Sequence, residues 1–128
     1  MRLLLDTHIL LWALTADPRL SPRAKELVLN PHNEAFFSAA TIWEIAIKRA
    51  LRRADMPISA EQAIHLFVEA GYEELSVSAA HAVMVETLPP IHADPFDRVL
   101  VAQALTEPMH LITHDRIVAT YSDSIILV

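Results

Sequence analysis

The sequence predicts an α/β fold in which helices cover both faces of a mostly parallel sheet. Two observations indicate this class. Short apolar runs alternate along the 128 residues with segments whose apolar residues recur at helical spacing, the order typical of parallel sheets. In addition, 53% of the residues are hydrophobic and only Gly71 is glycine, which indicates a compact, helix-rich chain. We expect one domain over residues 1–128, because this length buries a sufficient core.

Two strands and four helices are predicted in the first 71 residues. The strands are the apolar runs 2–5 and 35–37. The first strand runs into a helix at residues 6–8, and Ser21, followed by proline, caps a second helix that fades near Asn30. Ser59 caps the fourth helix, which Gly71 ends as the C′ residue. These four helices fill the connections between the first three strands.

The third helix is the longest of this half. Ser38 or Thr41 can cap it, and the Met56-Pro57 pair stops it. Its apolar side is expected to comprise Ile42, Trp43, Ile45, Ala46, Ala50 and Leu51. This prediction places Glu44 between two buried neighbours, Trp43 and Ile45.

The second half of the chain predicts three more strands and three more helices. The strands are residues 74–77, 111–113 and 124–127, and the helices are residues 78–87, 94–107 and 116–121. Pro89-Pro90 forces a loop before the helix that begins at Asp94-Pro95. The chain therefore contributes five strands in all.

Composition excludes several classes of function. The chain has no cysteine, so disulfides and thiolate metal sites are ruled out, and we expect a cytoplasmic protein. The N-terminal apolar run is too short for a signal peptide or a membrane span. A net charge of −6 argues against unassisted binding to nucleic acid, although four of the ten basic residues, Lys48, Arg49, Arg52 and Arg53, lie together. Such a cluster is more commonly a solvated helix face than a phosphate site.

Acidic residues follow the predicted strands. Asp6 and Asp115 come directly after the first and fourth strands, Glu44 lies early in the helix after the second, and Asp97 lies in the first turn of its helix. The carboxyl ends of parallel strands meet at one edge of a sheet, where ligands bind. We therefore expect these four acids to converge on one crevice.

Helix capping is the simpler explanation for three of these acids. Asp6 and Asp115 can each cap the helix that follows, and Asp97 suits the positive end of a helix dipole beside Asp94. Capping does not explain Glu44, because a buried carboxylate without a cation is costly. Carboxylates placed together also repel one another unless a divalent ion compensates them.

An all-carboxylate site favours Mg²⁺ or Mn²⁺ over Zn²⁺, and the seven histidines lack zinc spacing. His8, His92 and His114 fall nearest the crevice but are equally well explained as ordinary loop or core residues. Such an ion activates water and stabilises charge on phosphate oxygens, so no side-chain nucleophile is needed. It also explains how an acidic protein could act on an anionic polymer. We predict metal-assisted hydrolysis of a phosphodiester.

Four segments resemble the successive motifs of PIN-domain proteins, specifically VapC-type toxins of toxin–antitoxin modules. They are LLLDTHILLWAL, SAATIWEIAIK, HADPFDRVLVAQA and LITHD, in the family's order and each with its acid. The resemblance implies a three-layer α/β/α sandwich around a parallel five-stranded sheet. The segment after SAATIWEIAIK departs from the pattern, because relatives usually have a glycine and a lysine where this chain has Arg52 and Arg53.

The resemblance also implies a function and partners. It implies an endoribonuclease dependent on Mg²⁺ or Mn²⁺, with Asp6, Glu44, Asp97 and Asp115 as the catalytic, metal-binding quartet. Thr7 and Thr113 become candidates for orienting carboxylates or water. RNA is the implied substrate, a VapB-like protein the implied antitoxin, and a homodimer the implied assembly.

Three alternatives compete with this interpretation. A haloacid-dehalogenase-like phosphotransferase needs a second aspartate two positions after the first, where this chain has His8. A receiver-type phosphoacceptor needs a lysine that the chain does not offer between the third and fourth strands. A catalytically inactive PIN fold that binds RNA or protein is disfavoured by the acids at all four positions.

Overall fold

The computed structural model describes residues 1–52, 54 and 56–128. The strands are β1 (Arg2–Leu5), β2 (Glu34–Ser38), β3 (Glu73–Leu75), β4 (His110–Thr113) and β5 (Ile126–Leu127). The helices are α1 (Thr7–Thr15), α2 (Pro22–Leu29), α3 (Ala39–Ala50), α4 (Ala60–Glu69), α5 (Ala79–Thr87), α6 (Pro95–Thr106) and α7 (Arg116–Ala119). Over the described residues, no helix is long and apolar enough to cross a membrane.

The five strands form one sheet in the order β3-β2-β1-β4-β5, and all four pairings are parallel. The chain builds outward from β1 first on one side and then on the other. The boundary between β1 and β4 is therefore the topological switch point, beside which parallel sheets open a crevice. This order confirms the predicted α/β class.

Residues of the central strands alternate between two cores, one on each face of the sheet. Leu3 and Leu5 pack into a core with α1, α3 and α4, to which Phe67 also belongs. Leu4 packs on the opposite side with Leu100 of α6. Neighbouring side chains of a strand point to opposite faces, so both faces need a helical cover. The three-layer α/β/α arrangement is thereby confirmed.

The predicted caps begin their helices. Ser21 and Ser59 each accept a hydrogen bond from a backbone amide of the following turn, and Gln62 completes a capping box. Of the two candidates for α3, Ser38 is the N-cap. Gly71 has a φ of 93°, which explains glycine at the end of α4.

The predicted end of α3 was wrong, and its predicted apolar face is confirmed only for Ile42 and Ile45. The helix ends at Ala50 rather than at Met56, and Arg52 then adopts a left-handed φ of 54°. Its buried residues are Ala40, Thr41, Glu44 and Ile45, while Trp43, Ala46, Ala50 and Leu51 are exposed. At about 100° per residue the buried stripe passes through Thr41 and Glu44, which leaves Trp43 outside it.

Smaller differences concern segment ends. β3 covers Glu73–Leu75 rather than residues 74–77, α7 ends at Ala119, and β5 is limited to Ile126–Leu127. Of the basic cluster, Lys48 and Arg49 lie in the last turn of α3, and Arg52 follows the helix. Arg53 lies outside the described residues. None of these differences moves Asp6, Asp97 or Asp115 away from its strand or helix end.

Candidate active site

Asp6 and Asp115 lie at the carboxyl ends of the two strands that flank the switch point. Asp6 is buried and caps α1, with Oδ1 accepting from the amide of Ile9 at 2.9 Å. The Thr113 hydroxyl donates to Asp6 Oδ2 at 2.6 Å and accepts from the amide of Asp115 at 3.0 Å. Thr113 thus joins the two acids. Burial raises the pKa of Asp6 despite these hydrogen bonds.

Glu44 is buried on α3, and both of its carboxylate oxygens have partners. Oε1 accepts from the Thr7 hydroxyl at 2.8 Å, and Oε2 pairs with Lys48 Nζ at 2.7 Å, one helical turn later. Thr7 in turn contacts the hydroxyl of Thr41 at 3.1 Å. The cation that a buried Glu44 requires is therefore supplied by the chain itself.

Asp97 lies in the first turn of α6, beside its N-cap Asp94. Burial raises the pKa of Asp97 to about 7, and the negative charges of Asp94, Asp6 and Glu44 add to the rise. His92 lowers the pKa of Asp97, by less than burial, Asp94 or Asp6 raises it. Asp97 is thus close to three other acids and is not compensated as Glu44 is.

Asp115 caps α7 and faces His92. Its Oδ1 accepts from the amides of Ile117 and Val118, and its Oδ2 lies 3.0 Å from His92 Nε2. Partial burial would raise the pKa of Asp115, but the hydrogen bonds from His92 and the two amides outweigh it and lower the pKa. Asp115 is therefore held in its charged form.

Three of the four predicted acids surround one cavity of about 300 Å³, lined by Asp6, His8, Trp12, Asp97, His114 and Asp115. Glu44 is not among the lining residues, although its charge acts on Asp97. Within the described residues, His92, Asp97 and Asp115 also present ligand atoms within 4.8 Å of one another.

The donors fit a hard divalent cation. Carboxylate oxygens are the ligands that Mg²⁺ and Mn²⁺ prefer, and the charge on Asp97 requires a partner that its neighbours do not provide. The uncompensated acid is a property of the folded chain and does not depend on any motif. A divalent ion held here would offset the negative charge of Asp6 that acts on Asp97.

Sequence reasoning missed two features of this site. Trp12 belongs to an apolar helix and gave no signal, yet it forms a wall of the cavity, with His114 packed edge-on at 5.2 Å between ring centroids. The hydrogen bond of His92 was also missed. Its position in the HADPFDR block, five residues before Asp97, was the available signal.

The chain belongs to the PIN domain family, whose model matches residues 3–123. A comparison with curated proteins finds no match. The fold is similar to that of VapBC2 from Rickettsia felis bound to a DNA fragment from the promoter, with a TM-score of 0.70, 18% identity, and 100% of this chain and 98% of that chain covered.

Two further solved structures have a similar fold. DNA-bound VapBC from Salmonella typhimurium gives a TM-score of 0.68 at 15% identity, covering 100% of this chain and 97% of that one. VapBC-1 from nontypeable Haemophilus influenzae gives a TM-score of 0.63 at 19% identity, with the same coverage of both chains. The shared fold extends over the whole chain.

Proposed function

We propose that this protein is a metal-dependent endoribonuclease of the cytoplasm and the toxin of a toxin–antitoxin pair. The observation that supports it is the convergence of Asp6, Asp97 and Asp115 on one cavity at the switch point of a PIN fold. Glu44 is the fourth acid and does not line the cavity. An arrangement that leaves Asp97 without a cation favours a bound divalent ion over a purely structural role.

Asp6, Asp97 and Asp115 would hold Mg²⁺ or Mn²⁺. When bound, the ion would supply positive charge for the phosphate and would make water a stronger nucleophile. The chain's own residues fix the geometry: Thr113 orients Asp6, and the amides of α7 orient Asp115. Thr7 and Lys48 hold Glu44 in place. Rigid carboxylates of this kind bind an ion without a further ordering cost.

RNA cleavage tests the proposal directly. Purified protein is incubated with a structured RNA in Mg²⁺, Mn²⁺ or EDTA, alongside Asp6→Asn and Asp97→Asn. We expect cleavage only with the metal, and a fall of at least about a hundredfold in each variant, since a few kcal/mol of transition-state stabilisation is removed. Glu26→Gln, which changes an exposed acid on α2, is the matched control and should retain activity.

Two results would contradict the proposal. Cleavage that survives EDTA and both substitutions would exclude a metal-dependent nuclease at this site. If the protein instead binds RNA but never cleaves it, with any of the ions, the inactive binding module is the correct interpretation.

A VapB-like antitoxin and a second copy of the chain are the proposed protein partners. The similar folds of VapBC complexes support the first. An apolar groove of about 340 Å³ supports a protein contact, and it is lined by Ala39, Ala40, Trp43, Val77, Pro95, Phe96 and Val99. Trp43 is 63% exposed there and packs edge-on against Phe96 at 5.3 Å between ring centroids. The lining of the groove is almost wholly apolar, which suits contact with a protein more than with a charged ligand.

We assign this groove to the homodimer contact. Light scattering after gel filtration should give a dimer for the wild type and a monomer for Trp43→Arg. The exposed residue Leu29 on α2 offers a control, because Leu29→Arg places the same charge elsewhere and should leave the dimer intact. If Trp43→Arg remains dimeric, the groove is not part of the dimer contact.

A further inference from the structure

The loop between α5 and α6 brings His92 into the acidic site. His92 Nε2 lies 3.0 Å from Asp115 Oδ2 and 3.5 Å from Asp97 Oδ2, and 17% of the side chain is exposed. The imidazole therefore stands among the atoms that would surround an ion. Whether it is a ligand or a hydrogen-bond donor depends on which ring nitrogen carries the proton.

Backbone geometry fixes that proton. The amide of Asp94 donates to His92 Nδ1 at 3.0 Å. A ring nitrogen that accepts a hydrogen bond carries no proton, so the neutral imidazole must carry its proton on Nε2. Nε2 then donates to the carboxylate of Asp115. In this tautomer Nε2 has no lone pair with which to bind a metal ion.

The loop itself is held in place by two side chains from outside it. Arg98 of α6 donates to the carbonyl oxygens of Pro89 at 3.0 Å and Val85 at 3.2 Å, and to the hydroxyl of Tyr121 at 3.0 Å. The same hydroxyl accepts from the amide of His92 at 2.9 Å. Arg98 and Tyr121 thus place the His92 backbone, and the Asp94 amide sets the ring.

We propose that His92 is a positioning residue whose Nε2–H orients the Asp115 carboxylate toward the bound ion, and that it is not itself a ligand. Removing a group that hydrogen-bonds to a metal ligand typically lowers metal affinity or activity by about 10-fold to 100-fold. The effect on catalysis rests on the proposed function. The tautomer and the hydrogen bond do not.

Nitrogen NMR of histidine tests the tautomer in the metal-free protein. With ¹⁵N-labelled histidine at pH 8, we expect His92 to show a protonated Nε2 and an unprotonated Nδ1, and to keep this pattern when Mg²⁺ is added. The signal is assigned by its loss in His92→Gln. A protonated Nδ1, or direct coupling of Nε2 to ¹¹³Cd²⁺ in place of Mg²⁺, would overturn the proposal.

Variants test the positioning role. His92→Gln keeps an N–H near the position of Nε2–H, whereas His92→Ala removes it. We expect His92→Ala to weaken Mn²⁺ binding, measured from free Mn²⁺ by electron paramagnetic resonance, by about tenfold or more. His92→Gln should stay within about threefold of the wild type by the same reasoning. His65→Ala, at an exposed histidine of α4, is the control, and circular dichroism checks that each variant folds.

The outcomes separate this proposal from the proposed function. If the wild type cuts no RNA but the tautomer and the Mn²⁺ affinities behave as expected, the nuclease assignment fails and the role of His92 stands. If RNA is cut but His92→Ala binds Mn²⁺ as tightly as the wild type, the role of His92 is wrong and the nuclease stands. Where RNA is cut, His92→Ala should lower kcat more than it raises KM, and His92→Gln should restore kcat.

Discussion

Glu44 and Asp97 are two acids of the same site whose surroundings differ. Glu44 has a partner on each oxygen, Thr7 and Lys48, both contributed by the chain. Asp97 instead has three acidic neighbours, and its pKa is raised to about 7 by burial and by their charges. The fold therefore compensates Glu44 with partners from the chain, whereas Asp97 receives no such cation.

Removing the cation of Glu44 should have the largest effect on stability. Lys48→Met leaves a buried carboxylate unpaired, which we expect to lower the free energy of unfolding by about 3 kcal/mol. Lys25→Met is the matched control, because Lys25 is exposed on α2, and it should change stability little. The double variant Glu44→Gln, Lys48→Met should recover most of the loss. Urea unfolding measures all four proteins, and a harmless Lys48→Met would show that the pair contributes little.

Neutralising Asp97 should act in the opposite direction. The folded-state pKa of Asp97 lies above its unfolded value of 3.8, so the cost of ionising it in the folded state is absent below that pH, small at pH 4 and fully developed above about pH 7. Without metal at pH 8, we expect the free energy of unfolding of Asp97→Asn to be about 2 kcal/mol higher than that of the wild type. This value allows for the partial exposure of Asp97 to solvent. The difference should shrink toward pH 4. A constant difference from pH 4 to pH 8 would assign it to something other than this charge.

Supplying the missing cation should stabilise the wild type selectively. At a Mn²⁺ concentration tenfold above Kd, binding adds about 1.4 kcal/mol, or a rise in Tm of a few degrees at neutral pH. Asp97→Asn should lose most of this rise, and Glu26→Gln should keep it. Thermal unfolding followed by circular dichroism measures each shift. An equal rise in Asp97→Asn would mean that Mn²⁺ binds at another place.

The smallest effect is expected at the end of α3, the helix on which Glu44 and Lys48 lie. Arg52 adopts a left-handed φ of 54°, which costs a residue with a Cβ about 1 kcal/mol. Arg52→Gly should therefore stabilise the protein by about 0.5 kcal/mol once the added chain entropy is subtracted. Arg52→Ala retains the Cβ and controls for loss of the side chain. Equal Tm values for the two variants would remove backbone strain as the cause.

The sequence predicts the sheet, the helix caps and the placement of three acids, because each of these follows from a local sequence pattern. Apolar runs define the strands, and the carboxyl ends of parallel strands share one edge, so Asp6 and Asp115 could be brought together on topology alone. Trp43 was wrongly placed on the buried side of α3, because its apolar character suits both a core and an exposed groove. The end of α3 was mispredicted because a left-handed arginine has no sequence signal, whereas a glycine at that position would have one.

The balance around Glu44 and Asp97 was beyond pattern analysis for a different reason. A lysine one turn after Glu44 is visible in the sequence, but whether it pairs with the acid depends on its rotamer and on the burial of both groups. The repulsion of Asp97 by Asp94, Asp6 and Glu44 involves residues from three separate parts of the fold. Long-range electrostatics of this kind follows from the assembled fold.

The Arg98 side chain has a consequence for motion in the protein. Its guanidinium satisfies carbonyl groups of α5 and of the following loop, and so closes the end of one helix from the side of another. These bonds are made by one side chain and not by a strand ladder, so the loop can open as a local unit while the sheet stays intact. Hydrogen exchange of the His92 and Asp94 amides should then be faster than that of the Ile112 amide. Its rate should not depend on the free energy of global unfolding.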